Sequence, residues 1–463
     1  MAGRAAEQIV ADVIELGWPV GQVLGSETEL LQRYGVSRAV LREAIRLVEH
    51  QHVARMRRGT GGGLVIDEPD VDAVIGPAVI YLLRVGATLD EIFETRIVLE
   101  EIVAEVASQR VGEADNAAIR DTLKRESAGT ISNFRLLHSQ LAAMSANPIL
   151  ELFVETFGRI ANFHFDDTAA LPSEVDDDVR RDHNGIARAI LTNNPGLARE
   201  GMRRHLNAEA DFLRRQPATV QHLDPAVALA GALGAKRGEA LARQIFTEIV
   251  NSGATPGTFI GSEATLMAKH EASRAVVREA IRILEYHRIA LTRRGPGGGL
   301  FVTEPDASAL TDIISIYLRR RGVKTRHIGE LRTGLELAIV ERAAAALRGG
   351  GGDAEVIERA LRAEAEQSMA LAFGHSEDFH SVLGRLTGNR ALQLLHHVTI
   401  RLGWQFFSQI AAADPRAGAL FNSLPTSVRP AHQGIADAML AGDTELAVMR
   451  MRAHMTATAP HIS

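Results

Sequence analysis

The fold of this chain is decided by a stretch that reads Ser37-Arg38-Ala39-Val40-Leu41-Arg42-Glu43-Ala44-Ile45-Arg46. Ser37 is a residue type preferred at helix N-caps, and Val40, Leu41, Ile45 and Val48 recur at the spacing of one buried helix face. Arg38, Arg42 and Arg46 follow one another at intervals of four, so they line a second, exposed face. The stretch therefore predicts an amphipathic helix with three aligned guanidinium groups.

The flanking sequence places this helix in a small domain. Residues Ala5–Leu16 and Glu27–Tyr34 predict two more helices, and Gly35 supplies a left-handed turn between the second helix and the third. After the arginine helix, Val53–Arg58 and Leu64–Ile66 predict two short strands around a glycine-rich tip. This order predicts a winged helix-turn-helix, with the arginine helix in the major groove of DNA and the wing close to a groove or to phosphates.

The same motifs occur twice. An offset of 236 relates Gly25-Ser26-Glu27, Ser37-Arg38-Ala39-Val40, Arg42-Glu43-Ala44-Ile45-Arg46 and Gly61-Gly62-Gly63-Leu64 to Gly261-Ser262-Glu263, Ser273-Arg274-Ala275-Val276, Arg278-Glu279-Ala280-Ile281-Arg282 and Gly297-Gly298-Gly299-Leu300. Further on the offset grows, to 242 between His138 and His380 and to 249 between His205 and His454. The chain is therefore a tandem duplication with loop insertions in its later parts.

Basic charge is concentrated on the two motifs. Residues 21–66 contain seven basic and four acidic side chains, and residues 256–302 contain the same numbers, although the whole chain has a net charge of −6. Local positive charge of this kind favours binding to DNA rather than a merely solvated helix face. The candidate DNA-contacting residues are Arg38, Arg42, Arg46, Arg58, Gly61, Arg274, Arg278, Arg282, Arg294 and Gly297.

Each half continues with an alanine- and leucine-rich helical region that contains three recurring histidines. They are His138, His183 and His205 in the first half, and His380, His432 and His454 in the second; the last two of each set are 22 residues apart. A single histidine on an apolar helix face is usually a core residue, but recurrence of all three in diverged copies favours a site. Three imidazoles that converge inside a helical bundle suit a divalent metal such as zinc or nickel.

In this order, the motifs resemble the GntR family of regulators and, in the helical regions, its FadR-type (FCD) branch. The resemblance implies that the residues matching Arg38, Arg42 and the wing glycines contact operator DNA. It also implies that three histidines, with an aspartate four residues before the first, hold a divalent metal that helps to bind a carboxylate effector; Arg96 and Arg332 are the candidate effector-binding residues. Other members of the branch bind larger acyl ligands without metal.

The chain departs from the family pattern at several positions. The aspartate position is Phe134 in the first half and Ser376 in the second, which removes an anionic ligand; the nearby Glu377 and Asp378 slightly favour the second site. An arginine common in the second helix is replaced by Thr28 and Ala264, so one DNA contact is expected to be missing in both copies. Glu271 occupies the turn position of Gly35, where a non-glycine residue would be held near the left-handed conformation.

These patterns predict a mostly α-helical chain with two winged helix-turn-helix domains, each with a small β-wing, and two all-helical sensor bundles. The predicted boundaries are 1–70, 71–215, a linker at 216–225, 226–306 and 307–463. With two readers and two sensors in one chain, the halves are expected to pair as an intramolecular pseudo-dimer, with a further homodimer left open. We expect a transcriptional repressor controlled by a carboxylate or acyl effector; the alternative is an architectural DNA-binding protein without an effector.

Other classes of protein fit poorly. No nucleophile or general base accompanies the histidines, so an enzyme is not expected. There is no cysteine, and the apolar runs are far shorter than the roughly 20 residues that span a membrane. No signal peptide is apparent, and we expect a cytoplasmic location.

Overall fold

The structure is a computed structural model that describes residues 1–59, 61–69, 71–126, 131–162, 173–215, 223, 225–228, 236–350, 354–366, 378–413 and 415–462. The predicted mostly helical fold with small sheets is confirmed. Among the described residues, no helix is long and apolar enough to cross a membrane.

The first half begins with a region of short helices and strands at 2–66, which we call the small mixed region, and continues with a helical region. The elements of this half are α1 (Ala2–Glu15), β1 (Val23–Gly25), α2 (Glu27–Tyr34), α3 (Arg38–His50), β2 (Ala54–Arg57), β3 (Gly63–Ile66), α4 (Asp72–Val85), α5 (Leu89–Arg110), α6 (Glu113–Glu126), α7 (Ile131–Met144), α8 (Pro148–Ala161), α9 (Ser173–Leu191), α10 (Pro195–Arg214) and α11 (Pro225–Ala228).

The second half repeats this order. Its elements are α12 (Arg237–Asn251), β4 (Phe259–Gly261), α13 (Glu263–Lys269), α14 (Arg274–Tyr286), β5 (Ala290–Arg293), β6 (Gly299–Val302), α15 (Ser308–Arg320), α16 (Thr325–Arg348), α17 (Ala354–Glu366), α18 (Phe379–Leu386), α19 (Arg390–Ala413), α20 (Pro415–Leu440) and α21 (Thr444–Ile462).

Local sequence explains how the small mixed region forms. The Ser26 and Glu29 side chains form a capping box at the start of α2, and Ser37 accepts a hydrogen bond from the Val40 amide at the start of α3. Gly35, between those helices, has a φ of 62°, which places it in the left-handed region. The wing is a three-stranded antiparallel sheet in the order β1-β3-β2, and the second copy has the order β4-β6-β5.

The chain folds into two compact units, and each unit takes one segment from each half. The first unit comprises Met1–Tyr81 and Leu229–Val323, and the second comprises Leu82–Ala228 and Lys324–Ser463. Most of α4 and all of α15 belong to the first unit, whereas the predicted boundaries at 70/71 and 306/307 assign them to the helical regions; those boundaries remain predictions. The predicted domain start at 226 lies within α11, which belongs to the second unit; residues 216–222 and 224 of the predicted linker lie outside the described residues.

In the first unit, the two small mixed regions contact each other. His50, at the end of α3, stacks on Tyr286, at the end of α14, with ring centroids 4.7 Å apart. Ile316 of α15 packs into the core of the first copy, whose buried side chains include Ile9 and Leu41. The recognition-helix candidates of the two copies thus meet at their C-terminal ends.

In the second unit, the two helical regions pack through α5 and α16 and are joined by two equivalent sets of hydrogen bonds. Asn147 Nδ2 donates to His327 O at 2.9 Å and to Glu330 Oε2 at 3.0 Å. Asn389 Nδ2 donates to Glu91 O and to Glu94 Oε2, both at 2.9 Å. These positions are related by the repeat offsets of 242 and 236, so the contact has approximate twofold symmetry.

Candidate functional site

The exposed face of α3 carries the predicted arginines. Arg38, Arg42 and Arg46 are exposed, while Leu41 and Val48 on the opposite face are fully buried. Arg42 Nε lies 3.3 Å from Glu27 Oε1, and Arg46 pairs with Glu43 at 3.2 Å. Exposed pairs of this kind contribute about 0–1 kcal/mol, so a DNA phosphate can replace the carboxylate at little cost.

The tip of the wing is built so that backbone and arginine lie together at the surface. Gly61 has a φ of 74° and accepts a hydrogen bond on its carbonyl oxygen from the Arg57 guanidinium at 3.0 Å. Gly297, its counterpart, has a φ of 73°. Arg58 and Arg294 are exposed next to these tips. Both tips can therefore approach a groove or phosphates closely.

The second copy presents the same residues with a tighter ion-pair arrangement. Glu263 Oε1 lies 3.0 Å from Arg274 Nε, and its Oε2 lies 2.9 Å from Arg278 Nε, whereas Arg282 is exposed. The prediction for Glu271 is confirmed, since its φ is 50°. One carboxylate thus holds two of the three candidate arginines in this copy.

The three histidines of the first half converge in the second unit. His138 of α7, His183 of α9 and His205 of α10 are all at least 95% buried, and one ring nitrogen from each lies within 4.8 Å of the others. His183 Nε2 and His205 Nε2 are 3.1 Å apart. We call this cluster the first triad.

Carboxylates orient the imidazoles of the first triad. His183 Nδ1 lies 2.9 Å from Glu126 Oε2, and His138 Nδ1 contacts Glu100 Oε2. A donor at Nδ1 leaves Nε2 as an acceptor directed toward the cluster, which is the usual arrangement around a metal-binding histidine. His138 Nε2 is buried and has no hydrogen-bond partner. The donor set and this unpaired nitrogen fit a borderline divalent metal such as zinc or nickel.

Arg96 and Glu209 lie beside the first triad. Arg96 is buried and pairs with Glu100 and with Glu209, each at 3.0 Å. Glu209 Oε1 lies 3.3 Å from His205 Nε2. Burial opposes ionisation of Glu209, but Arg96 and His205 outweigh it and hold the pKa of that carboxyl well below its usual range. The candidate effector residue Arg96 is therefore already matched by two carboxylates.

A cavity of about 150 Å³ opens next to the first triad. Arg96, His205 and Glu209 are among its polar lining residues, together with Asp182, and Phe93, Phe134 and Phe212 are its aromatic lining residues. Cavities of this volume accommodate a molecule of benzene size. The site can therefore hold a small ligand directly beside His205.

The histidines of the second half form a matching cluster, the second triad. His380, His432 and His454 are buried, with one nitrogen from each within 4.8 Å of the others. His432 Nδ1 lies 2.9 Å from Glu364 Oε2. Burial lowers the pKa of His454 to about 2, and His380 and His432 act in the same direction. This imidazole is therefore neutral at physiological pH.

The surroundings of the second triad differ from those of the first. Glu336 Oε2 lies 2.9 Å from His380 Nδ1, without hydrogen-bond geometry, and Glu336 Oε1 lies 3.1 Å from His396 Nε2. The first half has Val154 at the position of His396. Arg332, the second candidate effector residue, lies 3.4 Å from Glu336.

The two aspartate positions also differ. Phe134 is buried and packs edge-on against His183, with centroids 6.2 Å apart. Ser376 and Glu377 lie outside the described residues, and Asp378 caps α18 by accepting from the Ser381 amide at 2.8 Å. Asp378, which the sequence favoured as a substitute ligand, is thus engaged in a helix cap.

Comparison with known proteins matches the helical regions of both halves and the small mixed region of the first half. Residues 91–208 and 327–457 match the family described as "FCD domain", and residues 1–63 match "Bacterial regulatory proteins, gntR family". The Uxu operon regulator of Haemophilus influenzae is 25% identical over 226 residues, covering 44% of this chain and 78% of that protein. The Exu regulon transcriptional regulator of Escherichia coli K12 is 27% identical over 220 residues, covering 44% and 82%.

A solved structure gives a similar coverage. Streptococcus agalactiae GntR has 20% sequence identity and a TM-score of 0.36, and covers 46% of this chain and 100% of its own. Each of these proteins therefore corresponds to somewhat less than half of this chain.

Proposed function

This chain belongs to the FCD-domain family. On that premise, we propose that it is a ligand-responsive repressor that binds operator DNA with both of its halves. The gntR-family domain at residues 1–63 makes DNA-binding regulation the chain's function. The repressor action, the second reader and the class of effector are our proposals.

The observation that carries the proposal is the repetition of one exposed arginine face. Arg38, Arg42 and Arg46 on α3 recur as Arg274, Arg278 and Arg282 on α14, and all six are exposed. Each helix has a buried opposite face and is followed by a glycine wing tip, so both can approach a duplex. Two such faces in one compact unit favour a reader of two half-sites over a reader of one.

Substitution of these arginines tests the proposal. We expect Arg38→Ala and Arg278→Ala each to weaken binding by about 1–3 kcal/mol where the side chain reads a base, and to lower the salt dependence where it contacts phosphate. The measurement is fluorescence anisotropy with a duplex that the purified chain selects from a random-sequence library. Arg362→Ala, which removes an exposed arginine of α17, is the matched control. If Arg278→Ala binds the duplex with unchanged affinity, α14 of the second copy does not contact DNA through this residue, and the proposed second reader is not supported.

For the helical regions, we propose a divalent metal in the histidine clusters and a small carboxylate as effector. The metal, when bound, would act as a Lewis acid that holds a carboxylate oxygen. The chain's own residues would orient the imidazoles through Glu100 and Glu126, and Phe93, Phe134 and Phe212 would exclude water from the ligand. The cavity volume favours a carboxylate of a few carbon atoms over a long acyl chain.

If the chain is instead an architectural DNA-binding protein, its helical regions pair the two halves and bind no effector. A cavity with polar lining residues, one of which is His205 of the buried first triad, favours a sensor. A thermal-shift screen of two- to six-carbon carboxylates, with zinc present, separates the two functions, since a bound ligand raises the stability by RT ln(1 + [L]/Kd). An effector should also release the DNA. A screen without any shift would favour the architectural protein.

We also propose that the halves form a pseudo-dimer within one chain. The paired hydrogen bonds of Asn147 and Asn389 give the contact between the helical regions its approximate twofold symmetry. A connecting segment holds the halves at roughly millimolar effective concentration, which favours this pairing over pairing between chains. A light-scattering mass near 50.0 kDa supports it, and a mass of twice that value indicates a further homodimer.

A further inference from the structure

We infer that Glu209 replaces the missing aspartate as the anionic partner of a divalent metal, and that the first triad therefore binds metal while the second does not. This inference rests on the proposed metal-binding function and assigns it to one of two clusters. The residue is not at the aspartate position of the sequence, which is Phe134, but on a different helix.

The position of Glu209 suits a ligand that completes the first triad. It lies four residues after His205 on α10, so both side chains project from the same face of that helix. Its Oε1 is 3.3 Å from His205 Nε2, the same nitrogen that lies 3.1 Å from His183 Nε2. Its side chain is 28% exposed and lines the cavity, so the carboxylate has room to turn toward the cluster.

The carboxylates around the first triad favour a cation at this point. Three carboxylates surround the histidines, those of Glu100, Glu126 and Glu209, and Arg96 is the cation that pairs with them among the described residues. Asp182, 3.9 Å from His205 Nδ1, is matched by Arg204 at 3.1 Å. Three carboxylates thus share one arginine, and a divalent metal would offset the remaining negative charge.

An unpaired nitrogen gives independent support for a ligand at this point. His138 is 4% exposed and its Nδ1 is occupied by Glu100, so Nε2 is the atom that it offers to the cluster. That Nε2 is buried without a hydrogen-bond partner. A buried polar atom without a partner costs about 1–3 kcal/mol, and coordination to a metal would remove this cost.

The second triad also has buried nitrogens without a hydrogen-bond partner, His380 Nδ1 and His396 Nε2, but it lacks a counterpart of Glu209. The residue 249 positions after Glu209 is Thr458, whose hydroxyl donates to His454 O at 3.0 Å. Among the described residues, the carboxylates near this triad are Glu336 and Glu364, and Arg332 lies 3.4 Å from Glu336, so two carboxylates share one arginine here and three do so at the first triad. A neutral hydroxyl engaged with its own helix does not supply the anionic ligand that a dication needs.

Metal titration of the full chain tests the inference. The chain is stripped with EDTA and titrated with Zn²⁺ alone, with bound metal counted by mass spectrometry and folding checked by circular dichroism. We expect one equivalent per chain in the unmodified protein. Glu209→Gln, which keeps the shape and removes the charge, should lower zinc affinity by about 10–100-fold. Thr458→Glu should add a second equivalent, and Glu200→Gln, an exposed glutamate of the same helix, should change nothing.

The outcomes separate this inference from the proposed function. If the unmodified chain binds no zinc, the metal-binding function itself fails. If it binds one equivalent that His183→Ala abolishes but Glu209→Gln leaves at full affinity, the function stands and the role of Glu209 is wrong. Two equivalents in the unmodified chain, or one that His432→Ala abolishes while His183→Ala does not, would overturn the assignment to the first triad.

Discussion

At the scale of single residues, the two copies differ at the turn between the helices of the reader. Gly35 adopts a φ of 62° without a side chain to strain, whereas Glu271 adopts a φ of 50° with one. A non-glycine residue in the left-handed conformation is destabilised by roughly 1–2 kcal/mol of steric strain. The second copy therefore contains a strained position that the first copy lacks, and opposite substitutions at the two positions can be compared.

We predict that Glu271→Gly stabilises the chain by about 0.5–1 kcal/mol, because the relief of strain exceeds the entropy that glycine adds to the unfolded state. Gly35→Ala should destabilise by a similar amount. Urea denaturation of both variants, followed by circular dichroism, gives the two signs. A destabilised Glu271→Gly would mean that the Glu271 side chain makes a contribution larger than the strain.

His287 provides a pH prediction at the same scale. Burial lowers its pKa to about 3, and His50 adds to the shift, so the folded chain keeps this imidazole neutral. The unfolded chain takes up a proton near pH 6.5, so stability is complete above that pH and declines as the pH falls from 6.5 toward 3. We expect His287→Gln to flatten this part of the stability–pH curve relative to the unmodified chain. Parallel curves for the two proteins would contradict it.

At the scale of elements, the sequence predicted those helices and strands whose ends are marked by capping residues or glycines. The bounds of α2 coincide with the predicted Glu27–Tyr34, because a capping box begins this helix and a left-handed glycine ends it. The edge strand β1 was missed, since three residues, Val23–Gly25, are too short to show alternation. The wing strands and the turn at Gly35 were predicted because glycines mark them.

The candidate site was only partly predictable for a related reason. Repetition identified the six histidines, and the structure brings each set of three together. Their carboxylate partners come from other helices, as with Glu126 of α6 and His183 of α9, and no sequence spacing links residues 57 positions apart. Glu209 did have a signal, its four-residue spacing from His205, but that spacing is common on exposed helices.

The ion pairs of α3 and α14 lead to a prediction about the two proposed DNA readers. Glu27 pairs with Arg42 alone, whereas Glu263 pairs with both Arg274 and Arg278. These carboxylates compete with DNA phosphates, so their removal should strengthen binding. We expect Glu263→Gln to raise DNA affinity more than Glu27→Gln does, each by less than about tenfold at low salt. Equal gains would show that the second copy is no more restrained than the first.

At the scale of the whole chain, the duplication allows each half to specialise for its partner. The helices α5 and α16 approach so closely that a Cβ on Gly334 would lie 2.5 Å from Ile102 Cδ1. The offset of 236 places Val98 opposite Gly334 in the repeat, and Ala338 opposite Ile102. The first half thus contributes the larger residue at both positions and the second half the smaller one. Such unequal sizes suit pairing between unlike halves and disfavour pairing of two first halves.

We therefore predict that Gly334→Val, which restores the residue of the first half, overpacks this contact and destabilises the chain by about 1–3 kcal/mol. Ile102→Ala alone should leave a cavity and also destabilise, but the double variant should recover most of the loss, because the smaller side chain makes room for valine. Thermal denaturation of all four proteins gives the coupling energy, and light scattering of the single variant shows whether halves now pair between chains. Additive losses would mean that the two residues do not meet in solution, and the pseudo-dimer built on α5 and α16 would then be wrong.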